Sequence, residues 1–223
     1  MTAPELDLQT VFVLLEARFG PQHWWPAEAP FEVVVGAILT QNTAWTNVER
    51  AIANLKAAGA LAPAAICHLA IDELEQLIRP AGFFRQKAVR LQHLTTVLVD
   101  RYDGDVASLC AGPLDEARDR LLILPGIGPE TADSILLYAA YRPSFVVDAY
   151  TRRIFTRLGV LSGSEGYEAI RARFLNALPH DVPLFNEFHA LIVTLAKGHC
   201  RKQRPECSTC PLQQVCRFAL QSR

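Results

Sequence analysis

Four of the six cysteines crowd the C-terminal end of the chain, at Cys200, Cys207, Cys210 and Cys216, with the spacing C-x6-C-x2-C-x5-C. Thiolates hold soft metals. Four of them in so short a loop suit either a tetrahedral zinc or the four corners of an iron–sulfur cubane. Zinc ribbons use two separated Cys-x2-Cys pairs, and this tail has one, so the spacing favours the cubane; disulfides are the lesser reading in a chain of cytosolic character. Cys67 and Cys110 stand apart and read as packed thiols. Arg201, Lys202 and Arg204 lie between the first two cysteines. They read as phosphate contacts, or as charges that offset an anionic cluster.

A second chemical signal is Leu124-Pro125-Gly126-Ile127-Gly128-Pro129-Glu130-Thr131-Ala132. Two glycines permit a tight turn and close backbone approach, and Pro129 suits the first position of a helix. Exposed amides at such a turn and at the following helix start can hold a phosphate; a plain helical corner is the other reading. Asp148 follows Phe145-Val146-Val147 at the start of another helix. There it reads as an N-cap or as an acid–base group. Trp24, Trp25 and Trp45, all the tryptophans of the chain, fall within 22 residues. They could cap a core at a domain boundary, or stack on an electron-poor aromatic ligand by cation–π attraction. Gln41, in Leu39-Thr40-Gln41-Asn42-Thr43, reads on its own as a helix-end cap.

The elements that must position these groups are helical. Leu8, Val11, Phe12, Leu15 and Phe19 share one helical face; Phe31 to Leu39 is an apolar, buried helix; Ile52, Leu55 and Lys56 continue a third. Leu74, Leu77 and Ile78 mark a short helix ended by Pro80 and Gly82, and Ala88 to Tyr102 a long one. Ala132, Ile135, Leu136 and Ala139 give the helix after the hairpin an apolar face. Alternating strand patterns with hairpin turns are missing, so the fold class is all-α, with about ten short helices separated by prolines.

The 223 residues are half apolar and a fifth charged, as in a soluble globular chain. Apolar runs such as Val11–Leu15 and Val33–Val35 are far short of a membrane span. The acidic start, Met1 to Glu5, lacks the features of a secretory signal, which predicts a cytoplasmic protein, nucleoid-associated in a bacterium. The net charge of −1 divides into −7 over residues 1–139 and +6 over residues 140–223. Such a split suits a polyanion-facing half.

The Leu-Pro-Gly-Ile-Gly hairpin, the Val-Val-Asp ending at Asp148 and the cysteine tail together resemble the endonuclease III family. This family lies in the helix-hairpin-helix superfamily of base-excision DNA glycosylases, and the likeness runs over nearly the whole chain. It implies a two-domain fold: a six-helix barrel over 22–142, and a domain from 1–21 and 143–223 that holds a [4Fe-4S] cluster on the four cysteines. The implied partner is double-stranded DNA containing damaged bases, bound by a monomer across the interdomain cleft with the damaged base flipped out. Asp148 matches the family's catalytic aspartate. Gly126 and Gly128 match its phosphate-binding hairpin, and Gln41 the residue that fills the gap left by the flipped base. Gly82 to Ala88, with Arg85 and Lys87, matches a segment that offers basic groups to the backbone, joined there by Arg201 and Lys202.

One position departs from the family pattern. Endonuclease III carries a lysine two residues after the second hairpin glycine, which attacks the sugar as a Schiff-base nucleophile; here it is Glu130, which cannot form an imine. Trp24-Trp25-Pro26, the Val-Gly-Ala-Ile-Leu-Thr-Gln-Asn-Thr run and Glu130 are similar to the 3-methyladenine DNA glycosylase branch, whose aromatics line the base pocket. The resemblance therefore implies a monofunctional glycosylase of cationic, alkylated purines. Asp148 and Glu130 would be its catalytic carboxylates, with Trp24, Trp25, Trp45 and Gln41 around the base. The alternatives are an oxidised-pyrimidine glycosylase with abasic-site lyase activity and a damage-binding protein of little turnover.

Overall fold

The computed structural model describes residues 6–221; Met1 to Glu5, on which the signal-peptide reading rests, lie outside them. The described residues form helices and turns with no strand. In chain order the α-helices are α1 (Leu8–Phe19), α2 (Pro30–Leu39), α3 (Trp45–Ala57), α4 (Pro63–His68), α5 (Ile71–Ile78), α6 (Phe84–Tyr102), α7 (Val106–Leu109), α8 (Leu114–Leu122) and α9 (Pro129–Ser134), then α10 (Ala149–Leu158), α11 (Tyr167–Ala177), α12 (Val182–Gly198) and α13 (Arg217–Gln221). The chain divides into two compact units, Trp25–Arg142 and the segments through Trp24 and from Pro143 onward. The first unit thus begins at Trp25, three residues after the expected 22.

In the unit Trp25–Arg142, α2 is the central rod. Every residue from Phe31 to Leu39 is buried, as an apolar run without a polar face must be. Its one charge, Glu32, is paired with Lys56 of α3 at 3.0 Å. Gly36 makes room within this rod: a Cβ there would come within 3.2 Å of the Trp25 ring. The two arms of the glycine hairpin are α8 and α9. A buried pair clamps them together, Arg118 Nε to Asp133 Oδ1 at 2.9 Å and Nη2 to Oδ2 at 3.1 Å. Paired hydrogen bonds of this kind fix geometry as well as charge. After α9 the chain passes into a π-helical turn, Ile135–Ala139, all of it buried.

The remaining unit is organised by phenylalanine. Phe145, Phe155, Phe174, Phe185 and Phe188 are fully buried, with Phe145 stacked on Phe174 at 4.0 Å and the others edge-on or tilted. α1 joins them through Phe12, whose ring meets Phe188 at 5.5 Å. Gln22 ties the N-terminal segment to α12: its backbone amide donates to Glu187, and its side-chain oxygen accepts from the Thr194 hydroxyl.

Candidate active site

The hairpin site lies within the unit Trp25–Arg142. A cleft of about 360 Å³ is lined by residues of α2 and its end (Thr40, Gln41), of the hairpin (Gly126, Gly128) and of α9 (Glu130, Thr131). Gly126 adopts φ +82°, a left-handed backbone that a side chain disfavours. Gly128 is the N-cap of α9 and Pro129 opens the helix, so the start of α9 stands at this cleft. Glu130 sits exposed in that first turn. Gln41 is held at both ends. Its Nε2 donates to the Gly126 carbonyl and the Thr131 hydroxyl, each at 3.0 Å, and its Oε1 accepts from Arg90 of α6 at 2.6 Å.

Two tryptophans come together in the same unit. Trp25 meets Trp45 edge-on at 5.1 Å and Tyr138 at 5.2 Å. Tyr138, from the π-helical turn, was not singled out in the sequence. Trp24 belongs to the other unit, where the Lys197 ammonium lies 5.8 Å from its ring.

Asp148 is the N-cap of α10. Its Oδ1 accepts from the Thr151 amide at 2.7 Å and the Thr151 hydroxyl at 2.9 Å. His189 of α12 places Nε2 3.6 Å from Oδ2. Burial pushes the Asp148 carboxyl up, but His189 and the two Thr151 donors outweigh it and hold the group below its ordinary value. A carboxylate so held is ionised at neutral pH, the state a base or counter-charge needs. His189 had no spacing signal; it is one polar residue in the apolar run Phe188 to Val193.

The four tail cysteines, each half-exposed, line one small pocket together with Arg157, His199 and Phe218. Arg157 donates to Cys200 Sγ at 3.2 Å. Backbone amides of Leu212, Phe218 and Ala219 act on Cys210 and Cys216, although burial pushes both thiols up, Cys210 to about 11. Among the described residues no three His, Cys, Asp or Glu side chains are gathered tightly enough to hold a single metal ion. Four sulfurs around one pocket, three of them facing N–H donors, fit a multi-iron cluster bound through thiolates.

Comparison with known proteins follows the same lines. Residues 35–180 match the family model of HhH-GPD superfamily base excision DNA repair proteins. The chain belongs to that superfamily. A Methanocaldococcus jannaschii protein designated a DNA repair glycosylase is 48% identical over 208 residues, 92% of this chain and 94% of its own. A non-covalent endonuclease III–DNA complex superposes with a TM-score of 0.83 at 26% identity, over 96% of this chain and 95% of that one. The Helicobacter pylori 3-methyladenine DNA glycosylase bound to 1,N6-ethenoadenine gives 0.74 at 28% identity, over 86% and 98%.

In this HhH-GPD glycosylase the basic residues expected at the DNA backbone do not all reach solvent. Lys87 is a correction: it is 1% exposed, and its ammonium donates to the Leu39 and Ala81 carbonyls at 2.8 and 2.9 Å. It pins the start of α6 to the end of α2 and cannot meet a phosphate from there. Arg85 is exposed beside Glu75, at 3.8 Å. Arg201 is paired with Glu206 at 3.0 Å, and Lys202 is exposed. Sequence reading also passed over Phe83, 66% exposed at the N-cap of α6 with φ +47°. A bulky residue in that backbone region is uncommon and costs energy.

Proposed function

We propose that this glycosylase hydrolyses the N-glycosidic bond of alkylated, cationic purines such as 3-methyladenine, without a lyase step. The observation that carries the reading is Glu130 in the first turn of α9, where a Schiff-base enzyme of this family needs an amine. The chain has four lysines: Lys56, Lys87, Lys197 and Lys202. Only Lys56 and Lys87 belong to the hairpin's unit. Lys56 is paired with Glu28 and Glu32, and Lys87 is buried between two carbonyls.

The chemistry then needs one carboxylate. As the C1′–N bond breaks, its electron pair leaves with the base. A base that already carries a positive charge departs neutral and requires no protonation. Asp148 stabilises the oxocarbenium-like sugar by its charge and takes a proton from the water that bonds to C1′. Glu130, on the wall of the hairpin cleft, is the other carboxylate that the family resemblance implies. Trp25 and Trp45 supply aromatic surface for an electron-poor ring, each contact worth roughly 0.5–2 kcal/mol, and buried Tyr138 backs Trp25; the family resemblance adds Trp24 to the residues around the base. Gln41 fills the gap in the helix, and exposed Phe83 offers an apolar face to the duplex. The glycine hairpin at Gly126 and Gly128 lets a phosphate approach the backbone closely, with Arg85, Arg201 and Lys202 adding charge.

Cys200, Cys207, Cys210 and Cys216 would hold a [4Fe-4S] cluster, which supplies a rigid anchor for the basic loop and takes no part in hydrolysis. Chromatography of bases released from methylated duplex DNA tests the function. The wild-type protein should release 3-methyladenine or 7-methylguanine, and Asp148→Asn should release neither. Equal release by both proteins would remove Asp148 from the mechanism.

A further inference from the structure

Arg90 is a residue that neither the hairpin motif nor the aspartate motif includes. It sits half-buried on α6, and three observations place it, Gln41 and the hairpin against one another. Its guanidinium donates to Gln41 Oε1 at 2.6 Å, the shortest of the three hydrogen bonds on that amide. Its aliphatic stem lies over the hairpin, since a Cβ at Gly126 would collide with Cγ, Cδ and Nε of Arg90. The Gln41 amide nitrogen is directed the opposite way, at the Gly126 carbonyl and the Thr131 hydroxyl. A cationic donor fixes which end of the amide is oxygen, and the two acceptors fix which end is nitrogen. Both amide hydrogens are engaged; one lone pair of Oε1 is left over.

We infer that Arg90 is the positioning residue of Gln41. It holds the side chain in one rotamer and one amide orientation against the hairpin, so that the phosphate grip and the gap-filling group form one rigid piece. A side chain ordered before DNA arrives loses less conformational freedom on insertion. The held amide also offers an orphaned base an acceptor rather than a donor. This inference rests on the reading of Gln41 as the gap-filling residue.

The test uses the full-length protein and two duplexes. One carries a tetrahydrofuran abasic site opposite 2-aminopurine, and the other is undamaged. Binding is followed by anisotropy, and stacking of the orphaned base by 2-aminopurine fluorescence. Arg90→Ala should weaken the preference for the abasic duplex roughly tenfold, the order expected for one charge-assisted hydrogen bond. Arg90→Lys, which keeps a cationic donor, should recover most of it. Adding Arg90→Ala to Gln41→Ala should cost nothing further, because the partner is already gone. Multiplying losses in the double variant, or an equal loss of Arg90→Ala on both duplexes, would make Arg90 a plain phosphate contact and overturn the inference. A Gln41→Ala protein with unchanged preference and fluorescence would overturn the gap-filling reading itself, and Arg90's role with it. Arg90→Ala and Arg90→Lys losing equal amounts, with melting points lowered alike, would reduce Arg90 to a structural part.

Discussion

Asp148 does two things with one carboxylate: it caps α10 through Thr151 and carries the negative charge that the proposed hydrolysis needs. These roles separate by substitution. Asn caps a helix about as well as Asp, so Asp148→Asn should remove base release while leaving the fold and DNA binding largely intact. Asp148→Ala should lose the cap as well and unfold more easily than Asp148→Asn by about 1 kcal/mol, which denaturant melts of the pair would check. The lowered carboxyl also gives a pH signature. Its ionised form is favoured in the fold, so the stability it contributes is complete above the unfolded value and lost as pH falls through the lower folded value. The acid limb of base release should therefore lie below the ordinary carboxylate range of about 3.9, as long as the fold persists. The N-cap position of Asp148 was legible in the sequence because it ends an apolar triplet just before a helix. His189 was not, because its role arises only when α12 packs beside α10.

At the scale of elements, the hairpin and the long α6 set the geometry around Gln41. Gly126→Ala places a methyl on a left-handed backbone and into Arg90. It should weaken binding even to undamaged duplex, measured by anisotropy, because the hairpin proposed to meet a phosphate shifts with it. Lys87 joins α6 to α2, and burial, aided by the Arg90 charge, pushes its ammonium from 10.5 down to about 8. Between those values the unfolded chain binds the proton and the folded one does not. This group's contribution to stability therefore rises with pH across that window. Denaturant melts should show Lys87→Met destabilised at neutral pH through two unpaired carbonyls, and without that alkaline rise. The sequence revealed α1 and the helix after the hairpin through apolar residues at helical spacing, and α2 through an unbroken apolar run. It placed the start of α6 at Ala88 rather than Phe84, because Phe-Phe-Arg-Gln carries no helical pattern of its own. The burial of Lys87 was equally hidden: a lysine in a basic stretch reads as a surface group until two carbonyls are found around it. The short α4 and α7 carry too few apolar positions to register.

At the scale of the whole molecule, the charge division and the cysteine tail belong to the same half of the chain. The +6 of residues 140–223 contrasts with the −7 before it, and Arg157 links the two features by donating to Cys200 and to the Arg201 and Lys202 carbonyls. If the four cysteines hold the proposed cluster, Cys207→Ser should lower the melting temperature and DNA affinity together and remove the broad absorption near 400 nm that such a cluster gives. Unchanged stability with full affinity would separate the proposed cluster from the basic loop. A monofunctional glycosylase cuts the bond to the base and never bonds covalently to the sugar. Incubating the protein with methylated duplex DNA and, in parallel, with an abasic oligonucleotide under borohydride reads both features. Release of 3-methyladenine or 7-methylguanine is expected, with no trapped protein–DNA adduct and no strand cleavage. Efficient trapping without release of either base would overturn this reading and mean that a lysine performs the chemistry proposed for Asp148 and water.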